Sequence, residues 1–221
     1  MMLIKNPMVL VPGTFAAEAL DLLIEGDTIA DVVPRGSVKG EGMERIDASG
    51  RALIPGLVNG HNHAQTHLAK GLFDRYTLEL YLNAMPWASG RRTLEDKHLS
   101  ALIGAAELVM KGCTAGYDMF AEFPLPSAEG VEAVARAYDE AGLRAVIAPM
   151  MADRSFYEAI PGLAEALPEP LRSQALRAKN APYAESIASC TRIIGQWKFA
   201  AERIRPALGP PMRSGMLTAT R

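Results

Sequence analysis

The chain has 221 residues, of which 49% are apolar and 22% charged, the balance of a globular protein with enough material for a real core. A formal net charge of −2 removes the electrostatic case for nucleic acid or an anionic membrane surface as a partner. Two cysteines, Cys113 and Cys190, form neither a disulfide framework nor a metal-type spacing and fit a reducing compartment. No apolar run approaches the roughly 18 residues that span a bilayer, and residues 1–7 lack the apolar core of a secretory signal. A cytoplasmic protein is expected.

Residues 1–52 read as short strands. Leu20 to Glu25 and Thr28 to Val33 flank Gly26-Asp27, a hairpin turn signal, and Asp47-Ala48-Ser49-Gly50 marks a second turn. The run that follows, from Leu53 to His63, has the length and apolar character of a buried strand, interrupted by Pro55-Gly56. It ends in His61-Asn62-His63. Side chains of a strand alternate faces, so His61 and His63 are expected to project together from its C-terminal end. Two neutral imidazoles so placed can share one metal ion, with zinc the expected cofactor and iron the alternative.

The connection from Ala64 to Arg92 is polar, with a short helix expected around Leu78 to Ala84. A long loop after such a strand is where substrate contacts usually sit, which makes Gln65, His67 and Trp87 candidates. Thr93-Leu94-Glu95-Asp96 resembles a capping box with Asp at the fourth position. The helix behind it carries Leu99, Leu102, Ile103, Ala106 and Met110 at 3.6-residue spacing, and Gly112 ends it. His98 in its first turn is expected to be solvated.

A strand from Cys113 to Asp118 comes next. Ser127 then starts a helix with Val131, Val134, Ala135 and Tyr138 on one face, stopped by Gly142 before a strand from Leu143 to Pro149. Residues 150–181 predict a helical excursion, Tyr183 to Ala200 a further helix, and Arg203 to Leu208 a fourth strand. Alternating strands and helices argue for βα units and a parallel sheet. Asp118, at a strand end, and Arg154, just past the next strand, are further candidates for substrate contact, although a structural hydrogen-bonding role suits Asp118 as well.

Two segments carry a family resemblance. Pro55-Gly56-Leu57-Val58-Asn59-Gly60-His61-Asn62-His63 resembles the first-barrel-strand signature of the amidohydrolase superfamily, in its cytosine deaminase, chlorohydrolase and S-adenosylhomocysteine deaminase branch. Lys111-Gly112-Cys113-Thr114-Ala115-Gly116-Tyr117-Asp118-Met119 is similar to that branch's Gly-x-Thr-x-x-x-Asp-Met segment. The resemblance covers residues 20 to 150 and thins towards 210. It implies an α/β fold: the first half of a metal-dependent (β/α)8 barrel over residues 53–210, in about four βα units, preceded by part of a small β-sandwich over 1–52. It also implies hydrolysis at a carbon–nitrogen bond of a heterocyclic amine, on a small-molecule substrate, with homo-oligomerisation left open. Adenosine-type deaminases of the branch tend to carry a glutamate near the end of the first loop, where this chain reads Trp87-Ala88-Ser89-Gly90-Arg91. That departure weakens a nucleoside substrate and leaves cytosine-like and triazine-like rings open.

A full barrel takes about 250 residues, more than the stretch from Leu53 to Arg221 supplies. Residues 211–221 show no periodicity and read as an irregular tail. The resemblance implies further ligands from later strands, two histidines and an aspartate, and a proton-shuttling glutamate; no histidine follows His98, so the missing ligands cannot be assigned to any residue. The expectation is therefore an N-terminal amidohydrolase fragment with an open sheet edge, and its alternative a catalytically inactive or partner-dependent module. A small binding protein that uses the two histidines structurally is a third reading.

Overall fold

The structure is a computed structural model describing residues 1–14 and 16–209. The tail expected over 211–221 lies outside the described residues. The chain divides into two compact units, Met1–Gly56 and Leu57–Arg221.

The first unit is built from six strands: β1 (Met2–Lys5), β2 (Met8–Leu10), β3 (Ala17–Glu25), β4 (Thr28–Pro34), β5 (Glu44–Asp47) and β6 (Ala52–Leu53). The order is β5-β1-β3-β2-β6, with β4 on β3. The β3–β4 hairpin turns at Gly26, whose φ of +60° lies where glycine is favoured. Leu3 is fully buried, and so is Asp21, whose carboxylate accepts the N–H groups of Asn6 and Gly36 at 2.8 Å each. Those two bonds tie the loops beside β3 to the strand and meet the demand of a buried carboxylate for donors.

Leu53 belongs here rather than to the barrel strand, because Ala52–Leu53 pairs in parallel with Met8–Val9. Pro55 has no N–H to donate, so the apolar run from Leu53 breaks into two strands on different sheets.

In the second unit the strands are β7 (Leu57–Asn62), β8 (Cys113–Asp118), β9 (Arg144–Ile147) and β10 (Ile204–Pro206). They form one parallel sheet in sequential order, each strand beside the next. Among the described residues β7 and β10 are its edges. The helices are α1 (Leu78–Ser89), α2 (Leu94–Met110), α3 (Ala128–Glu140), the short α4 (Phe156–Ala159), α5 (Leu163–Ala166) and α6 (Leu171–Arg177), and α7 (Tyr183–Gly195), with a 3-10 turn at Ala64–Ala69. No helix among the described residues is long and apolar enough to cross a membrane.

The capping signals act as the sequence predicts. Thr93 Oγ1 accepts from the Asp96 N–H at 3.1 Å while the Asp96 carboxylate accepts from the Thr93 N–H at 2.8 Å, the reciprocal box. Ser127 Oγ caps α3 through the Gly130 N–H, and Val131, Val134, Ala135 and Tyr138 of that helix are buried against Leu143, Ile147 and Ile204.

Four expectations are corrected. Strand β7 is not buried, since Leu57 is 49% and Val58 70% exposed, as befits an edge. Helix α2 buries Ser100, Ala101, Gly104 and Ala105, whereas Leu99, Ile103, Ala106 and Met110 of the expected stripe face outward. The small residues let α2 approach α3 and the 3-10 turn closely, which large side chains would prevent. His98 is only partly exposed: its Nδ1 lies 3.1 Å from the Ala133 carbonyl and its Nε2 3.2 Å from Glu140. Helix α7 stops at Gly195, after which Trp197 turns back and donates to the Ile204 carbonyl at 2.8 Å.

Candidate metal centre

His61 lies at the C-terminal end of β7 and His63 just beyond it. Their Nε2 atoms stand 3.1 Å apart, with ring planes at 82°. Two ligands of a tetrahedral zinc at about 2.0–2.1 Å each are separated by a comparable distance. His63 Nδ1 lies 2.7 Å from the Met119 carbonyl oxygen, which can only accept, so Nδ1 carries the proton and Nε2 keeps its lone pair. A carbonyl holding the far nitrogen of an imidazole in this way is the usual support of a metal-binding histidine. Burial pushes the His63 pKa below its ordinary value, the Met119 bond opposes that shift, and the charge of His61 adds to it. The neutral form that ligation needs is thereby favoured.

The donor set fits half of a zinc shell. Among the described residues no group of three or more histidine, cysteine, aspartate or glutamate side chains is placed to hold a metal ion.

The remaining candidates are held in structural contacts. Asp118 is fully buried, accepting from the Ala64 N–H at 2.9 Å and from the Tyr138 hydroxyl at 2.9 Å. It has no exposed face in this structure, and both its carboxylate oxygens are taken by these structural bonds. Burial raises its pKa to about 7 against those two hydrogen bonds. Gln65 spends its side-chain oxygen on the Ala121 N–H at 3.1 Å and its carbonyl on Arg92. Arg154 donates to the Glu158 carbonyl. Trp87 is 54% exposed and donates to the Tyr157 hydroxyl at 3.0 Å, joining α1 to α4.

His67 turns inward, with Nε2 3.2 Å from Asn62 Oδ1 and a buried Nδ1 that has no partner among the described residues. Burial again lowers its pKa. It does not join His61 and His63.

Sequence reasoning missed Asn62, Met119 and the Tyr138 hydroxyl. Asn62 was legible as pointing away from the two histidines by strand alternation. A tyrosine on the buried face of α3 implies a partner for its hydroxyl, and that partner is the Asp118–Asn62 pair.

A profile described as amidohydrolase family matches residues 52–216. The chain belongs to the amidohydrolase family. The match runs past residue 210 into the stretch read as an irregular tail. Among curated relatives, a 5-methylthioadenosine/S-adenosylhomocysteine deaminase of Carboxydothermus hydrogenoformans is 35% identical over 147 residues, 66% of this chain and 32% of the relative. A 5'-deoxyadenosine deaminase of Methanothermobacter thermautotrophicus is 37% identical over 152 residues, 68% of this chain and 33% of the relative. This amidohydrolase chain thus spans about a third of the length of these relatives. The crystal structure of atrazine chlorohydrolase from Arthrobacter aurescens TC1, complexed with zinc, superposes with a TM-score of 0.70 at 22% identity. The superposition covers 95% of this chain and 46% of that one, so the chain has the fold of about half of that enzyme.

Proposed function

We propose that this chain carries the first metal-binding strand of a metal-dependent amidohydrolase that hydrolyses a carbon–nitrogen bond of a heterocyclic amine. The observation that supports this reading most directly is the convergence of His61 and His63 at 3.1 Å with His63 Nδ1 held by Met119. Zinc suits the pair, since two borderline imidazole donors at the end of a barrel strand match its usual catalytic ligands. Such an ion, when bound, lowers the pKa of water from about 15.7 to roughly 7 and so supplies a nucleophile near neutrality. His61 and His63 would present their Nε2 atoms to such an ion from one side of β7, Met119 keeps His63 in the tautomer with a free Nε2, and Asp118 holds the turn beyond the strand through the Ala64 N–H.

The relatives named as adenosine-type deaminases favour an aminopurine-like ring, while Trp87 to Arg91 lacks the glutamate that a ribose would meet. The substrate class common to both observations is a heterocyclic amine.

The test is ammonia release by the zinc-loaded chain across adenosine derivatives, cytosine and aminotriazines, in the wild type and in His61→Ala. Release that disappears in the variant supports the reading. A second reading, a catalytically inactive or partner-dependent module, is favoured by the lack of a three-residue metal cluster among the described residues. Zinc uptake through His61 and His63 without any ammonia release supports that one.

A further inference from the structure

The two candidate ligands flank a residue that faces the opposite way. Asn62 is buried, and its amide is gripped at both ends: Nδ2 donates to the Tyr138 hydroxyl at 2.8 Å, and Oδ1 lies 3.2 Å from His67 Nε2. With Nδ2 committed to Tyr138, Oδ1 can only accept, so His67 carries its proton on Nε2. The Tyr138 hydroxyl in turn donates to Asp118 Oδ2 at 2.9 Å, and Asp118 Oδ1 accepts from the Ala64 N–H.

The backbone next to Asp118 completes the grip, because the Met119 N–H donates to the Asn62 carbonyl at 2.9 Å and the Met119 carbonyl takes the His63 Nδ1 proton. Residues 118 and 119 therefore hold Asn62, His63 and Ala64, three consecutive residues of the strand end. The register of β7 on β8 shifts between Asn59 and Asn62 and pairing resumes at Asn62–Asp118, so across the irregular stretch the rotation of this end is held by that one pair together with the side-chain bonds.

We propose that Tyr138 is a positioning residue: acting from α3 through Asn62 and Asp118, it sets the rotation of the His61-Asn62-His63 strand end and hence the convergence of the two Nε2 atoms. Its consequence for metal binding rests on the reading of His61 and His63 as ligands. Its consequence for ring orientation does not. Removing the hydroxyl leaves Asn62 Nδ2 without its acceptor and frees the amide to rotate, which releases His67 and loosens the turn carrying His63. Outer partners of metal ligands typically change affinity by about 10–100-fold.

The experiment compares the full chain with Tyr138→Phe, and with Ile193→Ala as a control. Ile193 is buried in α7 and makes none of these bonds. Histidine ring nitrogens are read by 15N NMR without metal, and Zn2+ affinity is read by titration. The wild type should show His63 protonated on Nδ1 and His67 on Nε2. Tyr138→Phe should shift the ring nitrogens of both and weaken Zn2+ binding at least tenfold. Ile193→Ala should lower the melting temperature and change neither readout.

A Tyr138→Phe chain that melts earlier but keeps wild-type ring signals and Zn2+ affinity overturns the proposal. Asn62→Ala removes the same link while leaving α3 intact, and supplies the reading if Tyr138→Phe does not fold. If Zn2+ binding survives in His61→Ala and His63→Ala while the ring signals still shift in Tyr138→Phe, the metal reading fails and the positioning role stands.

Discussion

Asp118 has no solvent to share its charge with, and its two donors do not make up the loss. With a folded pKa of about 7 against an ordinary 3.8, the native state keeps a proton that the unfolded chain gives up across that interval. Stability contributed by this group is therefore complete below pH 4 and is lost as pH rises towards 7. The stability advantage of the wild type over Asp118→Asn, measured by urea denaturation, is predicted to be greatest near pH 4 and to shrink by pH 7.5. An advantage that grows with pH would show that the carboxylate is held ionised. His63 and His67 shift the opposite way, which is why the comparison needs the Asp118→Asn reference rather than the wild type alone. At this scale the sequence was informative where chemistry is periodic: the i, i+2 spacing of His61 and His63 is enough to place both rings on one side. It was uninformative for Asp118 and Tyr138, whose meeting depends on α3 folding back over β8, a contact between residues 20 apart.

Helix α2 shows where periodicity misleads. Its large apolar side chains recur at helical spacing, yet the face that packs is the one with Ser100, Ala101, Gly104 and Ala105. Burial of a helix against close neighbours selects small residues, so the strongest hydrophobic stripe is not always the inner one. The tightest approach is at Gly104, where an added Cβ would come within 2.3 Å of the His67 ring. Gly104→Ala is predicted to lose about 1–3 kcal/mol by overpacking and to displace His67, a change visible in chemical denaturation and in the histidine NMR signals. Ala101→Leu should cost a similar amount for the same reason. Ile103→Lys on the outward face should stay within about 0.5 kcal/mol of the wild type. Equal losses at 101 and 103 would mean that the helix packs in another rotation. The caps at Thr93 and Ser127 and the turn at Gly26 were legible because each is a local hydrogen-bonding or φ requirement that the residue type announces.

Across the whole molecule the order of elements was readable: short strands first, then βα steps in register with a parallel sheet. The division between units fell a few residues later than expected, because Leu53 pairs with β2 and Pro55 separates it from β7. What one strand with two candidate ligands cannot reveal is the rest of a coordination shell, and among the described residues no group of three or more His, Cys, Asp or Glu is placed to hold an ion. The central claim, that His61 and His63 hold a divalent ion, is tested most directly by calorimetric Zn2+ titration of the full chain beside His61→Ala, His63→Ala and the double variant. One Zn2+ per chain in the wild type, lost in each variant, is the predicted result. Binding that persists undiminished in the double variant, or is absent from the wild type, would contradict it.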